Sequence, residues 1–101
     1  MEHNKLVRDK IPEIIEAQGR KALTSVMSEE EYVVHLERKL DEEVGEYHES
    51  KEIEELADIL EVVYALCEAQ GCSIEDLMKT FEKKHNERGG FSKRIFLMKT
   101  E

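Results

Sequence analysis

Residues 39–66 read KLDEEVGEYHESKEIEELADILEVVYAL, and the fold turns on how this stretch is read. It contains two short acidic phrases, Glu43-Val-Gly-Glu46 and Glu55-Leu-Ala-Asp58. Each phrase sets two carboxylates three residues apart, nearly one helical turn, so both can point the same way from a helix. The interval between the phrases is short and holds Ser50, a residue type suited to an N-cap. Two antiparallel helices with a turn near residues 48–51 are therefore expected. With the turn centred between Ser50 and Lys51, Glu46 faces Glu55 and Glu43 faces Asp58. The two opposed pairs are about 4.5 Å apart along the axes at 1.5 Å rise per residue. Side chains reaching across helices packed roughly 8–10 Å apart can hold a hard cation at about 2.0–2.1 Å per oxygen. Without a cation, four converging carboxylates repel and one or more must take up a proton.

Working outward, residues 28–47 read as the first arm of the hairpin. Ser28 and Glu31 have capping-box spacing. Val33, Leu36, Leu40, Val44 and Tyr47 recur at three- and four-residue steps. Glu43 lies about 20° from Leu36 on the helical wheel and so borders the apolar face. The second arm begins after Ser50 and reaches about Gln70, with Gly71 as its stop. It is apolar on most sides, and Glu55 stands in line with Ile59, Val62 and Leu66. A carboxylate in such a stripe needs a partner, because an unpaired buried charge is costly; an end-of-helix Glu that escapes to water is the plainer alternative.

The flanks read as two further helices. Pro12 suits the first turn of a helix over residues 11–18 with Ile11, Ile14 and Ile15 as its stripe, stopped by Gly19. Residues 20–27 show no periodicity and are expected to be an extended connector. Arg8 and Lys10 can reach a phosphate, although such residues more commonly solubilise a terminus. Ser73 and Asp76 mark the start of the last helix, whose packed face holds Leu77 and Phe81, and Gly89-Gly90 ends it. The closing residues carry Ile95, Phe96 and Leu97, expected to dock on a core or a partner.

Composition bounds the answer. The 101 residues suit one domain over 1–101. One proline, five glycines and abundant Leu, Glu, Lys and Ala favour an all-α chain. No apolar run approaches a membrane span, and the first residues lack the apolar core of a signal peptide. The two cysteines, Cys67 and Cys72, form no disulfide framework, so a cytoplasmic setting is expected. The net charge of −9 disfavours nucleic acid. Residues 29–61 hold fourteen acidic and three basic residues, whereas residues 79–99 hold seven basic and two acidic. An acidic centre with a basic arm suits a metal bound to a polyphosphate; solvated helix faces are the bland alternative. There is no GxxxxGK[ST] loop, and the four histidines lack ligand spacing. The second arm is too apolar for its short neighbours to cover in a domain this small, so two copies are expected to pair their hairpins into a four-helix bundle with an extended C-terminal tail.

The acidic phrases resemble the ExxE…ExxD pattern of the MazG-like nucleotide pyrophosphohydrolases of the all-α NTP pyrophosphatase superfamily. The opening NKLVRDKIPEII and the closing Arg88-Gly89-Gly90-Phe91 are similar to its phosphoribosyl-ATP pyrophosphohydrolase-like subgroup. The resemblance implies hydrolysis of a nucleoside triphosphate or related nucleotide between the α and β phosphates, with house-cleaning of nucleotide pools as a role. It implies Mg²⁺, with Mn²⁺ as a substitute, held by Glu43, Glu46, Glu55 and Asp58. A carboxylate among Glu42, Glu43 and Glu46 would orient the attacking water, and Lys39, Lys83, Lys84 and Arg88 would bind the phosphates. A homodimer or dimer of dimers is also implied. Eight residues separate Glu46 from Glu55, fewer than is usual in that family, which bears on the nucleobase pocket. Phosphoribosyl-ATP hydrolysis and a non-catalytic nucleotide-binding or dimeric interaction module are the alternative readings.

Overall fold

In the computed structural model, which describes residues 3–101, every regular element is a helix. Residues 1 and 2 of the expected single domain lie outside the described residues. The helices are α1 (Ile11–Ala17), α2 (Glu29–Ser50), α3 (Ile53–Ala69) and α4 (Ile74–Arg88). None among the described residues is long and apolar enough to cross a membrane.

Local chemistry sets the boundaries. Pro12 occupies the first turn of α1, where its missing N–H removes no helical bond. Gly19 and Gly71 follow α1 and α3 at positive φ, a conformation that favours a residue without a Cβ. The Ser28 hydroxyl oxygen accepts from the Glu31 N–H at 3.2 Å and starts α2. Ser73 and Asp76 complete a reciprocal capping box at α4, a device in which each side chain satisfies an orphan N–H of the first turn.

The hairpin turn differs from expectation. The first arm runs through Ser50, so Ser50 ends α2 instead of capping α3, and the connection is Lys51 and Glu52 alone. Lys51 adopts the left-handed conformation with φ 59°. Its N–H reaches back to the Tyr47 carbonyl at 2.8 Å, and its ammonium lies 5.3 Å from the centre of the Tyr47 ring. The Ser50 hydroxyl oxygen accepts from the Glu52 N–H at 3.2 Å and so still orders the turn.

α2 and α3 pack along their lengths and form the core, centred on Leu36 and Val62, which are 3% and 7% exposed. α4 approaches only α3, and α1 makes no close backbone approach to another helix. Residues 20–28 form no regular element, as expected of a connector. The radius of gyration is 17.9 Å, well above roughly 13 Å for a compact chain of about 100 residues. The core is correspondingly thin. Ile53, Leu56 and Leu60 of α3 and Phe81 of α4 remain exposed. The closing residues do not dock on this chain's core: Ile95, Phe96, Leu97 and Met98 are all exposed, Phe96 at 86%.

Candidate functional site

The carboxylates of the two acidic phrases meet across the hairpin. Glu43, on α2, is 8% exposed, because the face it shares with Leu36 is pressed against α3. Glu55 and Asp58, on the first two turns of α3, are half-buried opposite it. One oxygen from each of these three lies within 4.8 Å of the others. Glu46 belongs to a second set, with Glu42 and Glu43, at the same spacing. The four expected ligands thus form two overlapping triads that share Glu43. Glu46 nonetheless lies near enough to Glu55 to raise its carboxyl.

Glu43 Oε2 and Glu55 Oε2 are both buried without a hydrogen-bond partner. A buried polar atom left unpaired costs on the order of 1–3 kcal/mol, and more if charged. Burial, followed by the nearby Glu46 and Asp58 carboxylates, pushes the Glu43 carboxyl up to about 7, against the opposing pull of Lys39. The Glu55 carboxyl is also raised, first by desolvation and then by Glu46 and Asp58. These are the strains a divalent cation relieves. Three hard oxygens converging with two orphaned lone-pair sites fit Mg²⁺ or Mn²⁺.

Cations of the chain flank the cluster. Lys39 lies one turn before Glu43 on α2, with its ammonium 3.5 Å from Glu42 and 3.8 Å from Glu43. Arg8 comes from the far end of the sequence. Its guanidinium is 2.9 Å from Glu61 and 3.5 Å from Asp58. Arg8 is thus paired with two carboxylates of α3 while still largely exposed, and Glu61, which the sequence reading did not single out, lies beside the cluster. Glu61 sits in no motif; only its i, i+3 spacing from Asp58 on one face of α3 places it there.

The other expected phosphate ligands are elsewhere. Lys83, Lys84 and Arg88 are exposed on the last two turns of α4. Among the described residues none of them lines the cleft beside the carboxylates or pairs with an acidic group of it. The physical reason is that α4 meets α3 near Val63, Leu66 and Cys67, beyond the carboxylate end of that helix. Cys67 and Cys72 are free, and the Cys67 thiol donates to the Ser73 carbonyl at 3.3 Å, which ties the α3–α4 turn.

No protein-family model matches the chain. No solved structure matches it. An uncharacterised protein of Mycolicibacterium smegmatis (strain ATCC 700084 / mc(2)155) is 54% identical over 41 residues, 41% of this chain. The matched stretch spans 42% of that relative's length.

Proposed function

We propose that the chain is a Mg²⁺-dependent nucleotide pyrophosphohydrolase, cleaving a nucleoside triphosphate or related nucleotide to a monophosphate and pyrophosphate. One observation carries the reading: Glu43 and Glu55 each hold a buried, unpartnered carboxylate oxygen within one triad completed by Asp58. An interaction module has no use for such a cost, whereas a cation site requires it. The resemblance of the ExxE…ExxD phrases adds the reaction class.

Glu43, Glu55 and Asp58 would hold the ion, with Glu46 beside them. A bound divalent cation neutralises phosphate charge and lowers the pKa of a water for attack. Lys39 holds the Glu42 and Glu43 carboxylates in place and presents its ammonium to the phosphate tail. Glu46, which makes no ion pair among the described residues, orients the water and takes its proton. The water oxygen bonds to the α phosphorus, the bridging P–O bond breaks, and pyrophosphate leaves with the electron pair. The exposed stripe Ile53, Leu56 and Leu60 on α3 supports pairing of two hairpins in a four-helix bundle.

The test is a panel of nucleoside triphosphates and phosphoribosyl-ATP with Mg²⁺, products identified by phosphorus NMR. Pyrophosphate with a monophosphate, abolished by EDTA, is the expected outcome. Orthophosphate as the only inorganic product, or full activity in EDTA, contradicts the proposal.

A further inference from the structure

The chain has two cysteines, and neither belongs to the carboxylate site. They stand across the end of α3, in Cys67-Glu-Ala-Gln-Gly71-Cys72. In an unbroken helix that spacing would turn them about 140° apart around the axis. The helix does not continue. Gly71 takes φ 84°, a left-handed conformation that a residue without a Cβ adopts freely. The chain folds back there, and two hydrogen bonds close it. The Gly71 N–H donates to the Glu68 carbonyl at 2.9 Å, and the Cys72 N–H donates to the Cys67 carbonyl at 3.2 Å. This is the Schellman pairing, in which the side chains at the two outer positions commonly meet. Here both outer positions are cysteines.

The turn meets the geometric needs of a disulfide. With N–Cα at about 1.46 Å and C=O at about 1.23 Å, the direct hydrogen bond keeps the two Cα atoms closer than about 7 Å, the separation beyond which no bridge forms. The Cys67 side chain also points the right way. Its sulfur lies 3.6 Å from the Cys72 carbonyl oxygen and 3.3 Å from that of Ser73, over the backbone that carries the second thiol. Cys72 is exposed and Cys67 half-buried, and both line the groove of about 320 Å³ between α3 and α4.

We propose that Cys67 and Cys72 are a reversible thiol–disulfide site, closed by exchange with a small disulfide such as oxidised glutathione and reopened by small thiols. The exposed Cys72 starts the exchange. Desolvation, and then the neighbouring Cys72, holds the Cys67 thiol above its ordinary value, which leaves it as the second nucleophile. Cys72 gives its proton to solvent, and its thiolate attacks one sulfur of the small disulfide and expels one small thiolate. The Cys67 thiolate, its proton likewise released, then attacks Cys72 Sγ and expels the other. Two electrons pass from the cysteine pair to the small disulfide, whose two thiolates take up the two protons. Exposed bridges are the readily reduced ones, and Cys72 keeps this one exposed. Closure replaces the S–H···O bond to the Ser73 carbonyl with a covalent tie across the same turn.

The test is equilibration of the full chain in glutathione buffers of stepped ratio, read by intact mass and peptide mapping after an acid quench. Loss of two hydrogens from a single chain, a Cys67–Cys72 crosslink, and full return of both thiols in dithiothreitol are expected. The ratio of disulfide to dithiol should be roughly tenfold higher in the folded chain than in urea, because the turn holds the two thiols together. Cys67→Ser should stop at a glutathione adduct on Cys72. Chain-to-chain disulfides, or a glutathione adduct as the final product of the wild type, overturn the proposal. So does a ratio in the folded chain no higher than in urea, which would mean that nearness in sequence alone brings the thiols together. A Cys67→Ser chain that takes up no glutathione overturns Cys72 as the opening thiol.

Discussion

Arg8 Nη1 lies 3.5 Å from Asp58 Oδ1, so the chain's own cation already rests on a carboxylate of the triad. A metal ion arriving at Asp58 must displace it. Arg8→Ala should therefore bind Mn²⁺ more tightly than the wild type. The pair is half-exposed, so the gain is modest, about 0.2–1 kcal/mol, or up to roughly fivefold. Calorimetric titration with Mn²⁺ checks it. Weaker Mn²⁺ binding by the variant would mean Arg8 supports the metal site instead of competing with it.

The raised carboxyls of Glu43 and Glu55 give the metal-free chain a distinctive pH dependence. The folded state holds these protons more tightly than the unfolded chain does. The Glu43 contribution to stability is complete below the ordinary value of 4.5 and is lost as pH rises through about 7; that of Glu55 is likewise lost as pH rises above its ordinary value. In EDTA the melting temperature should fall between pH 5 and pH 8. Glu43→Gln, which cannot ionise there, should show a smaller fall. Millimolar Mg²⁺ should raise the wild-type melting temperature at pH 8 and leave the variant nearly unmoved. Parallel melting curves for the two proteins under all conditions would count against a strained Glu43.

Removal of single carboxylates separates the triad from its neighbours. Glu55→Gln and Asp58→Asn should each lower kcat by on the order of a hundredfold or more, because each removes a ligand oxygen. Lys83→Ala, on the remote part of α4, should change kcat little. Steady-state rates with the best substrate of the nucleotide panel decide this. Near wild-type turnover in Glu55→Gln would place the chemistry elsewhere.

Much of this arrangement is legible in sequence, and the exceptions have physical causes. Glu43 and Asp58 meet because helical periodicity puts each on the inner face and a tight turn puts them at one level. Glu55 announces itself as a charge in an apolar stripe. The turn itself is harder to read. Ser50 extends α2 and Lys51 takes up the left-handed conformation, aided by the Tyr47 ring and carbonyl. Nothing in residue order ranks that turn above one capped by Ser50. The pairing of Arg8 with Glu61 is not legible for a different reason. Their hydrogen bond spans 53 positions, and the segment carrying Arg8 has no periodicity to say which way it faces. The phosphate role of Lys83, Lys84 and Arg88 rested on charge, and charge does not fix where α4 packs.

The exposed apolar stripe on α3 leads to a test of assembly. Leu56 and Leu60 are about half-exposed and, with Ile53, share one face of the helix. Wild-type protein should sediment as a dimer or a larger species. Leu56→Glu with Leu60→Glu should sediment as a monomer while retaining helical circular dichroism. A wild-type monomer at micromolar concentration would remove the four-helix bundle from the account.

The convergence of Glu43, Glu55 and Asp58 on one ion is tested most directly by titrating the protein with Mn²⁺ and counting bound ions by electron paramagnetic resonance. The wild type should bind stoichiometrically, and Glu43→Gln, Glu55→Gln and Asp58→Asn should each lose that binding. Wild-type protein that leaves Mn²⁺ free, or variants that retain it in full, would contradict a shared cation at the hairpin.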